Sequence, residues 1–395
     1  MKYALIIPDG AADVPLADLD GKTPLQAAKT PNMDWIAQNG KIGTVQNVPK
    51  GMYPGSDVAI MAVLGYDPRQ YYTGRAPLEA AAQGLQVAPD EWIFRANLVT
   101  IVEGIMEDYS AGHIRTEEAA TLIDELNRML GGQTVHFYRG VGYRHLMTIK
   151  GSFDVQTVPP HDILGKDIEP YLPTGQGADL LRTLITRSRE ILAGHEVNAV
   201  RRDLGENPAT NLWLWGQGKM PNLPSFQSRF GIKAVAITAV DLIRGIATLI
   251  GWDRIEVPGA TGYVDTNFVG KGAYAVSALD RYDLVCVHVE APDESGHNAE
   301  VENKVRSLEM IDEHVVGPVL KRLQQEGDAW RILVLPDHPT PCTIRTHTAE
   351  PVPFAIAGKR IESVLRGSFD EATAAASDLH IARGDELMEY FLTVR

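Results

Sequence analysis

The chain has few cysteines, no long apolar run and an excess of acidic over basic residues, and each of these shortages excludes a class of protein. Two cysteines in 395 residues cannot build the disulfide framework of a small secreted protein. No segment approaches the roughly 20 consecutive apolar residues of a membrane helix. With 37 basic against 51 acidic residues and a formal net charge of −14, the chain is not expected to bind nucleic acid.

Signals for export and repetition are also missing. Met1 and Lys2 lead directly into an apolar segment, without the pattern of a signal peptide, and no repeat or low-complexity tract follows. Together with the cysteine usage, this predicts a cytoplasmic protein without a membrane partner. An apolar content of 44% over 395 residues is enough for two lobes, each with its own core.

Three apolar runs each lead to an aspartate. YALIIP precedes Asp9, LVCVHVEAP precedes Asp293, and RILVLP precedes Asp337. Each run is typical of a strand that is buried on both faces, as in parallel sheets covered by helices. Ligands of such sheets bind outside the carboxyl ends of the strands. The sequence therefore predicts three carboxylates on one rim of a sheet.

Histidines stand close to two of these aspartates. His297 completes a D-x-x-x-H motif with Asp293, while His338 directly follows Asp337 and His347 lies further along the same segment. Carboxylate oxygens mixed with imidazole suit Mn²⁺, Zn²⁺ or a similar divalent ion. Taken singly, Asp-Gly at position 9 could be a turn, and Asp337-His338 a helix cap with a buried imidazole. The joint pattern predicts a metal site with one or two ions.

Ser56 lies in the loop KGMYPGSDVA, directly before a segment with helical character. A serine at such a position is most often an N-cap that accepts a backbone N–H. Beside a divalent cation, however, its hydroxyl has a lowered pKa and can attack phosphorus, while helix N–H groups stabilise the phosphate. Because the sequence offers several metal ligands elsewhere, we favour the nucleophile.

Strand and helix alternate at both ends of the chain, which predicts an α/β fold with a doubly wound, mostly parallel sheet. The acidic motifs occupy both ends, so residues 1–84 and 208–395 should form one discontinuous catalytic core. Residues 85–207, with short β-like pieces around an amphipathic helix at 116–130, should form an inserted, smaller α+β cap domain. Further helices are expected at 30–40, 177–194 and 301–325, and the NLWLWG segment is expected to belong to the core.

The order of the motifs resembles the alkaline phosphatase superfamily: Asp-Gly after the first strand, PGS, D-x-x-x-H, D-H, and a later T-H-T before VPF. Within it, the chain is similar to the cofactor-independent phosphoglycerate mutases. TPNMDWIAQNGKIG and YYTGRAPLEAA resemble their short, archaeal-type branch, and the similarity covers nearly the whole chain. The resemblance implies an alkaline-phosphatase-like core and the enzymatic activity of these mutases.

Carried onto this sequence, the resemblance implies two divalent metal ions, Mn²⁺ first with Mg²⁺, Zn²⁺ or Co²⁺ as alternatives, and no 2,3-bisphosphoglycerate. One ion would be held by Asp293, His297 and His347, the other by Asp9, Asp337, His338 and the oxygen of Ser56. Ser56 would take the phosphoryl group of 3-phosphoglycerate, forming phosphoserine, and return it to the 2-hydroxyl, an isomerase reaction of glycolysis. The implied or candidate substrate-binding residues are Lys304, His113, Arg75, Arg115 and Arg144, each of which could also be a surface charge.

Two alternatives remain open in the sequence. The same metal core could serve a phosphatase or a homoserine-kinase-like phosphotransferase acting on another small hydroxylated metabolite, although no P-loop or kinase glycine loop is present. The second alternative is a metal-binding protein without catalytic activity. The arginine-rich substrate signature of the longer bacterial mutases is absent, which puts the substrate-binding residues in doubt. The expected partner is a small phosphorylated metabolite, homo-oligomer formation is left open, and the cap would exclude water.

Overall fold

The computed structural model describes residues 1–363 and 365–393, in two compact units. Met1–Tyr72 with Asn222–Arg395 form one, here the core unit, and Thr73–Pro221 form the other, here the inserted unit. Across the described residues, no helix combines the length and the apolar character that a membrane span requires.

The strands are, in chain order, β1 (Lys2–Pro8), β2 (Lys41–Val45), β3 (Glu91–Val102), β4 (Ile105–Asp108), β5 (Val135–Val141), β6 (Arg144–Lys150), β7 (Asp154–Gln156), β8 (Thr174–Gln176), β9 (Asn211–Lys219), β10 (Ala234–Ile237), β11 (Asp253–Ile255), β12 (Leu284–Val289), β13 (Trp330–Val334), β14 (Val352–Gly358) and β15 (His380–Ile381). The α-helices are α1 (Pro24–Ala27), α2 (Pro31–Asn39), α3 (Ser56–Val63), α4 (Pro68–Tyr71), α5 (Arg75–Ala82), α6 (Thr116–Leu130), α7 (Ala178–Ala193), α8 (Glu196–Asp203), α9 (Phe226–Phe230), α10 (Asp241–Leu249), α11 (Phe268–Ala278), α12 (Ala291–His297), α13 (Val301–Ile311), α14 (Gly317–Gln324), α15 (Glu371–Ala375) and α16 (Gly384–Thr393).

The core unit is built on a mixed sheet in the order β11-β10-β12-β1-β13-β14-β2-β15. β1 pairs in parallel with both β12 and β13, while β14 runs antiparallel to β13 and to β2. The central strands are buried along almost their whole length, as expected when helices cover both faces. This confirms the predicted α/β fold with a mostly parallel sheet.

The register of the central strands brings three acidic segments to one edge of the sheet. Pro8 lies opposite Val289 at the carboxyl end of the β1–β12 pair, and Ile6 lies opposite Val334 near the end of the β1–β13 pair. The residues that follow these three strands therefore start from neighbouring points. This placement is the structural basis of the candidate site.

The inserted unit has an antiparallel sheet in the order β4-β3-β6-β5, and β9 also pairs with β3. The amphipathic helix predicted at 116–130 is confirmed as α6, and its apolar face packs into a core with α7 and the sheet. Phe94, Leu122, Phe137 and Leu181 are among the buried residues of this core. The inserted unit thus has the α+β architecture that was predicted.

The limits of the inserted unit differ from those predicted from the sequence. β9, which contains the NLWLWG segment, was expected in the core but is hydrogen-bonded to β3, and α5 also belongs to the inserted unit. Residues 73–84 and 208–221 are therefore part of it. The backbone groups of β3 need a second partner strand, and the local pattern of a strand does not say which sheet supplies its own partner.

The long helix predicted at 301–325 is present as one uninterrupted helical stretch from α13 to α14. A π-helical turn, Asp312–Val316, changes its hydrogen-bond pattern in the middle. Pro318 lacks a backbone N–H and its ring conflicts with the carbonyl four residues earlier, so a regular ladder cannot pass through it. The helices predicted at 30–40 and 177–194 are confirmed as α2 and α7.

Candidate metal centre and phosphoryl-transfer site

The predicted metal ligands come together at the carboxyl edge of the core sheet. Asp9 directly follows β1, and Asp337 follows β13. Asp293 lies one turn before His297 in α12, which begins just after β12. Ser56 is the first residue of α3. Residues that are hundreds of positions apart in sequence therefore share one site.

The first cluster consists of Asp293, His297 and His347, whose ligand atoms lie within 4.8 Å of one another. The two Nε2 atoms are 2.9 Å apart, and each lies within 3.4 Å of a different Asp293 oxygen. Their Nδ1 atoms lie 3.0 Å and 3.2 Å from the carbonyl oxygens of Arg345 and Pro54. Because a carbonyl can only accept, Nδ1 holds the proton of each neutral ring and both Nε2 lone pairs face one point.

A proton competes with a cation at this point. Burial by itself lowers the pKa of His297, but the hydrogen bond and the charge of Asp293 outweigh it and raise the pKa to about 9. Against the effect of burial, the same hydrogen bonds from His297 and His347 hold the pKa of Asp293 well below its usual range. The cluster is therefore an anion facing two imidazoles, a donor set that suits a divalent transition metal.

The second cluster consists of Asp9, Asp293 and His338. Nε2 of His338 lies 3.1 Å from Oγ of Ser56, 3.2 Å from Oδ2 of Asp337 and 3.7 Å from Oδ1 of Asp9. Burial lowers the pKa of His338, so its ring is neutral. Asp337 is adjacent, as predicted, but Asp293 belongs to this cluster too and so is shared by both.

The buried carboxylates of the second cluster lack protein partners. Among the described residues, Oδ1 of Asp9 and Oδ2 of Asp337 have no hydrogen-bond partner, although both side chains are buried. Burial, followed by the charges of Asp337 and Asp293, raises the pKa of Asp9 well above its usual range. Unpaired buried carboxylate oxygens are costly unless a cation satisfies them. The residues present therefore fit divalent cations.

Ser56 is not an N-cap, which removes the alternative considered from the sequence. Gly55 occupies the N-cap position of α3, and Oδ1 of Asp57 accepts the backbone N–H of Val58 in the first turn. The hydroxyl of Ser56 instead lies beside His338, at the start of this helix. Its position suits a nucleophile.

Two glycines allow the segments around the site to pack closely. Gly10 has φ +62°, and a Cβ there would lie 2.5 Å from Oγ1 of Thr340 and 2.6 Å from Oδ1 of Asp293. A Cβ at Gly296 would overlap the carbonyl oxygen of Thr340. The glycines therefore let β1 and α12 approach the segment that carries His338.

Thr340 is a functional residue that the sequence reasoning missed. Its hydroxyl donates to Oδ1 of Asp293 and lies 3.3 Å from Nδ1 of His338, so it orients members of both clusters. Its place in PDHPT, two residues after the D-H motif, was the available signal.

His288 was also missed. Its Nε2 lies 2.8 Å from Oδ2 of Asp9 and its Nδ1 lies 3.1 Å from Oγ1 of Thr238. Burial lowers the pKa of His288 to about 3. A histidine inside the apolar run LVCVHVEAP was the signal that could have identified it.

Lys304 does not lie where a phosphate contact was predicted. Its ammonium group is fully buried, 2.9 Å from Oδ2 of Asp13 and 2.8 Å from the carbonyl oxygen of Thr340. Asp13 also accepts the backbone N–H of Cys342. Lys304 therefore holds the segment after β13 in place, because an ammonium removed from water needs the carboxylate beside it.

Arg115 likewise has a local structural role. It precedes α6, and its Nη2 lies 2.8 Å from Oε1 of Glu118. The same Glu118 pairs through its other oxygen with the buried Arg201. Arg115 is thus engaged at the start of a helix, instead of joining the other predicted substrate residues.

A different group of cationic and aromatic side chains comes together in the inserted unit. The guanidinium of buried Arg95 lies 4.2 Å over the ring of Trp215 and pairs with Glu79 at 3.0 Å. Burial lowers the pKa of Arg95 to about 10. The charge of Glu79 opposes this shift, while the charges of Arg75 and Arg144 add to it. Arg75 and Arg95 therefore share the carboxylate of Glu79, and the charge of Arg144 also acts on Arg95, so that three cations accompany one anion in this group.

Tyr143 connects two further predicted residues to this group. The ring of His113 lies 6.5 Å from the ring of Tyr143, and the guanidinium of Arg144 lies 5.8 Å from the same ring. The structure thus brings together three of the predicted substrate residues: His113, Arg75 and Arg144. Arg95 was not predicted, because a charge inside the apolar strand WIFRANLV gives no indication of its neighbours.

The fold of the chain is similar to that of solved structures. The fold is that of a protein from Pyrococcus horikoshii, with a TM-score of 0.84 and 30% identity over 99% of this chain and 96% of that one. A cofactor-independent phosphoglycerate mutase from Thermoplasma acidophilum superimposes with a TM-score of 0.69 and 27% identity, with all of both chains covered. The chain therefore has the fold of a phosphomutase of the cofactor-independent kind.

The sequence comparisons name the family. Residues 37–198 match the family described as 2,3-bisphosphoglycerate-independent phosphoglycerate mutase. The mutase of that name from Methanothrix thermoacetophila is 48% identical over 392 residues, which is 99% of this chain and 100% of the relative. The chain belongs to the family of 2,3-bisphosphoglycerate-independent phosphoglycerate mutases.

Proposed function

We propose that this chain interconverts 3-phosphoglycerate and 2-phosphoglycerate in the cytoplasm, without 2,3-bisphosphoglycerate, through a phosphoserine at Ser56. The observation that carries the proposal is the position of the Ser56 hydroxyl, 3.1 Å from Nε2 of His338 at a cluster of buried carboxylates. Family membership supports this reaction over the phosphatase and the homoserine-kinase-like alternatives. The small phosphorylated substrate is the proposed partner, and homo-oligomer formation stays a prediction.

We assign the metal ligands by the two clusters. Asp293, His297 and His347 would hold one divalent ion, and Asp9, Asp337, His338 and Ser56 would hold the other, with Asp293 adjacent to both. Mn²⁺ is the first choice for a mixed oxygen and imidazole site of this kind, with Mg²⁺, Zn²⁺ and Co²⁺ as alternatives. Bound cations would lower the pKa of the serine hydroxyl and neutralise charge on the phosphoryl oxygens.

The side chains of the core unit divide the remaining work. Ser56 attacks phosphorus, the first turn of α3 offers N–H groups to the phosphoryl oxygens, and Thr340 keeps Asp293 and His338 in position. With a cation bound, Nε2 of His297 and of His347 would be its ligands, and their remaining protons would stay on Nδ1, facing the carbonyl oxygens of Arg345 and Pro54. A cation held by Nε2 of His338 would occupy the lone pair that faces Ser56, so the hydroxyl proton would leave to solvent as the pKa of the serine falls.

The substrate carries a carboxylate and a phosphate, and the inserted unit offers groups of the matching charge. We assign substrate binding to the group formed by Arg75, Arg95, Arg144 and His113. Arginine suits both anions because its planar guanidinium can make two parallel hydrogen bonds. Lys304 and Arg115 each have a carboxylate partner in the structure, and their substrate contact stays a prediction.

The test uses Ser56→Ala with Ser228→Ala, an exposed serine of α9, as the matched control. Manganese-loaded protein is assayed for conversion of 3-phosphoglycerate to 2-phosphoglycerate, for phosphate release and for ATP-dependent homoserine phosphorylation. We expect Ser56→Ala to lose at least about 10³-fold in kcat, as when a nucleophile is removed, and to yield no phosphopeptide on acid quenching. Full activity in Ser56→Ala, or no isomerisation by the unmodified chain, would refute the proposal.

A further inference from the structure

We propose that His288 is the positioning residue for Asp9: its Nε2–H donates to Oδ2 of the carboxylate and reserves Oδ1 for a divalent cation. This inference rests on the proposed role of Asp9 as a metal ligand. It assigns a function to a strand residue that contacts neither the proposed cation nor the substrate.

The two oxygens of Asp9 have different environments. Oδ2 lies 2.8 Å from Nε2 of His288, whereas Oδ1 lacks a hydrogen-bond partner among the described residues and faces Nε2 of His338 at 3.7 Å. Asp9 and His288 are each only 1% exposed. Bulk water therefore does not compete for either oxygen, and the imidazole determines which of them is left for a ligand.

Thr238 is the second partner of the His288 ring. The carboxylate of Asp9 can only accept, so Nε2 of His288, 2.8 Å away, carries the proton. Oγ1 of Thr238 accepts the backbone N–H of Val240 at 3.1 Å and lies 3.1 Å from Nδ1 of His288, where its hydroxyl proton is available to that nitrogen. The single proton of the neutral ring is on Nε2, where it faces Asp9.

The packing around His288 favours the neutral ring. The ring is buried in β12, and the ammonium of Lys271 lies 3.3 Å from the carbonyl oxygen of the same residue. A second positive charge on the imidazole would be placed next to that ammonium, away from water. One proton, fixed on one nitrogen, is therefore the stable state.

A donor at Oδ2 has two consequences for Asp9. It satisfies one oxygen of a carboxylate that is almost fully buried. It also sets the rotation of the carboxylate, so that Oδ1 faces His338 and Ser56. Partners of this kind change metal affinity by about 10- to 100-fold when they are removed.

The test measures Mn²⁺ binding by isothermal titration calorimetry on chelator-treated full-length protein. His288→Leu removes the donor, while His288→Gln places an amide N–H near the former Nε2. We expect Mn²⁺ affinity for one ion to fall about 10- to 100-fold in His288→Leu and to be largely restored in His288→Gln. Near-ultraviolet circular dichroism of each metal-free variant checks that it has folded.

Thr238→Val provides a variant of nearly the same shape should His288→Leu not fold. It removes the hydroxyl that holds Nδ1 of His288 in place, and we expect a loss in Mn²⁺ affinity smaller than that of His288→Leu. Asp9→Asn is titrated alongside as the reference for losing the ligand itself. The absorption spectrum of bound Co²⁺ reports the changed geometry independently of enzyme activity.

Each result has a defined meaning. Unchanged Mn²⁺ affinity in folded His288→Leu, or in folded Thr238→Val, overturns the positioning role. Equal affinities of the Gln and Leu variants would also overturn it, because ring volume and not the donor would then matter. Unchanged binding in Asp9→Asn would instead refute the metal assignment made under the proposed function, and this inference with it.

Discussion

Replacing Lys304 by methionine separates the role predicted from the sequence from the role seen in the structure. If Lys304 bound the phosphate of the substrate, its side chain would lie in water in the free protein, and replacing it would change the stability little. In the structure, Nζ of Lys304 is fully buried between Asp13 and the carbonyl of Thr340. Methionine keeps the length and apolar stem of the side chain and removes its charge.

The magnitude follows from what Asp13 retains. Removing one partner of a buried ion pair costs about 3 to 5 kcal/mol, because the other charge is left without compensation. Asp13 keeps the backbone N–H of Cys342 at 3.1 Å and that of Val14 at 2.8 Å. We therefore expect a value near the lower limit, about 3 kcal/mol, which corresponds to a fall in Tm of about 6 to 12 °C for a domain of up to 250 residues.

Thermal and urea unfolding of the metal-free protein, followed by circular dichroism, measures the effect. Lys321→Met, at an exposed lysine of α14, is the matched control and should change stability by less than about 0.5 kcal/mol. The double variant Lys304→Met with Asp13→Asn should recover part of the loss, since no unpaired charge remains. An unchanged Tm in Lys304→Met, with a raised KM for 3-phosphoglycerate, would refute the structural role and restore the substrate contact.

Three further predictions concern pH and packing. Mn²⁺ affinity should rise up to about tenfold per pH unit until pH 9, because the pKa of His297 is raised to about 9 and the cation must displace the proton of its ring. Calorimetry from pH 6 to 9 checks this, and an affinity that does not change with pH would contradict it. Burial lowers the pKa of His145 to about 4. The neutral ring therefore contributes fully to the free energy of unfolding above its unfolded pKa near 6.5, and this contribution is lost as the pH falls through 4. His145→Gln should unfold at lower pH in an acid titration followed by tryptophan fluorescence, and identical curves would argue against this. Gly296→Ala should weaken Mn²⁺ binding at least about tenfold by displacing α12 from Thr340. Gly194→Ala, where a Cβ meets open space, should bind Mn²⁺ normally. Equal affinities of the two variants would disprove the close-packing argument.

The candidate ligands could be predicted from the sequence because their signals are local. An apolar run that ends in an aspartate indicates a buried strand and a polar rim, and the spacing of Asp293 and His297 places both on one turn of α12. Amphipathic periodicity predicted α6 with its observed bounds. Residue type and period are properties of short segments, so they can be read without knowledge of the fold.

The supporting residues could not be predicted, because each depends on a partner far along the chain. His288 meets Asp9 across 279 positions, and Lys304 meets Asp13 across 291. A buried lysine and an exposed one look alike in a helical pattern, and the backbone groups of β9 could have paired in either sheet. The sequence by itself determined the kinds of ligand and the strands that carry them. Only the tertiary structure decided that Asp293 is shared, that Lys304 pairs with Asp13 and that Arg95 joins the arginine group, since burial and pairing are set by contacts between distant segments.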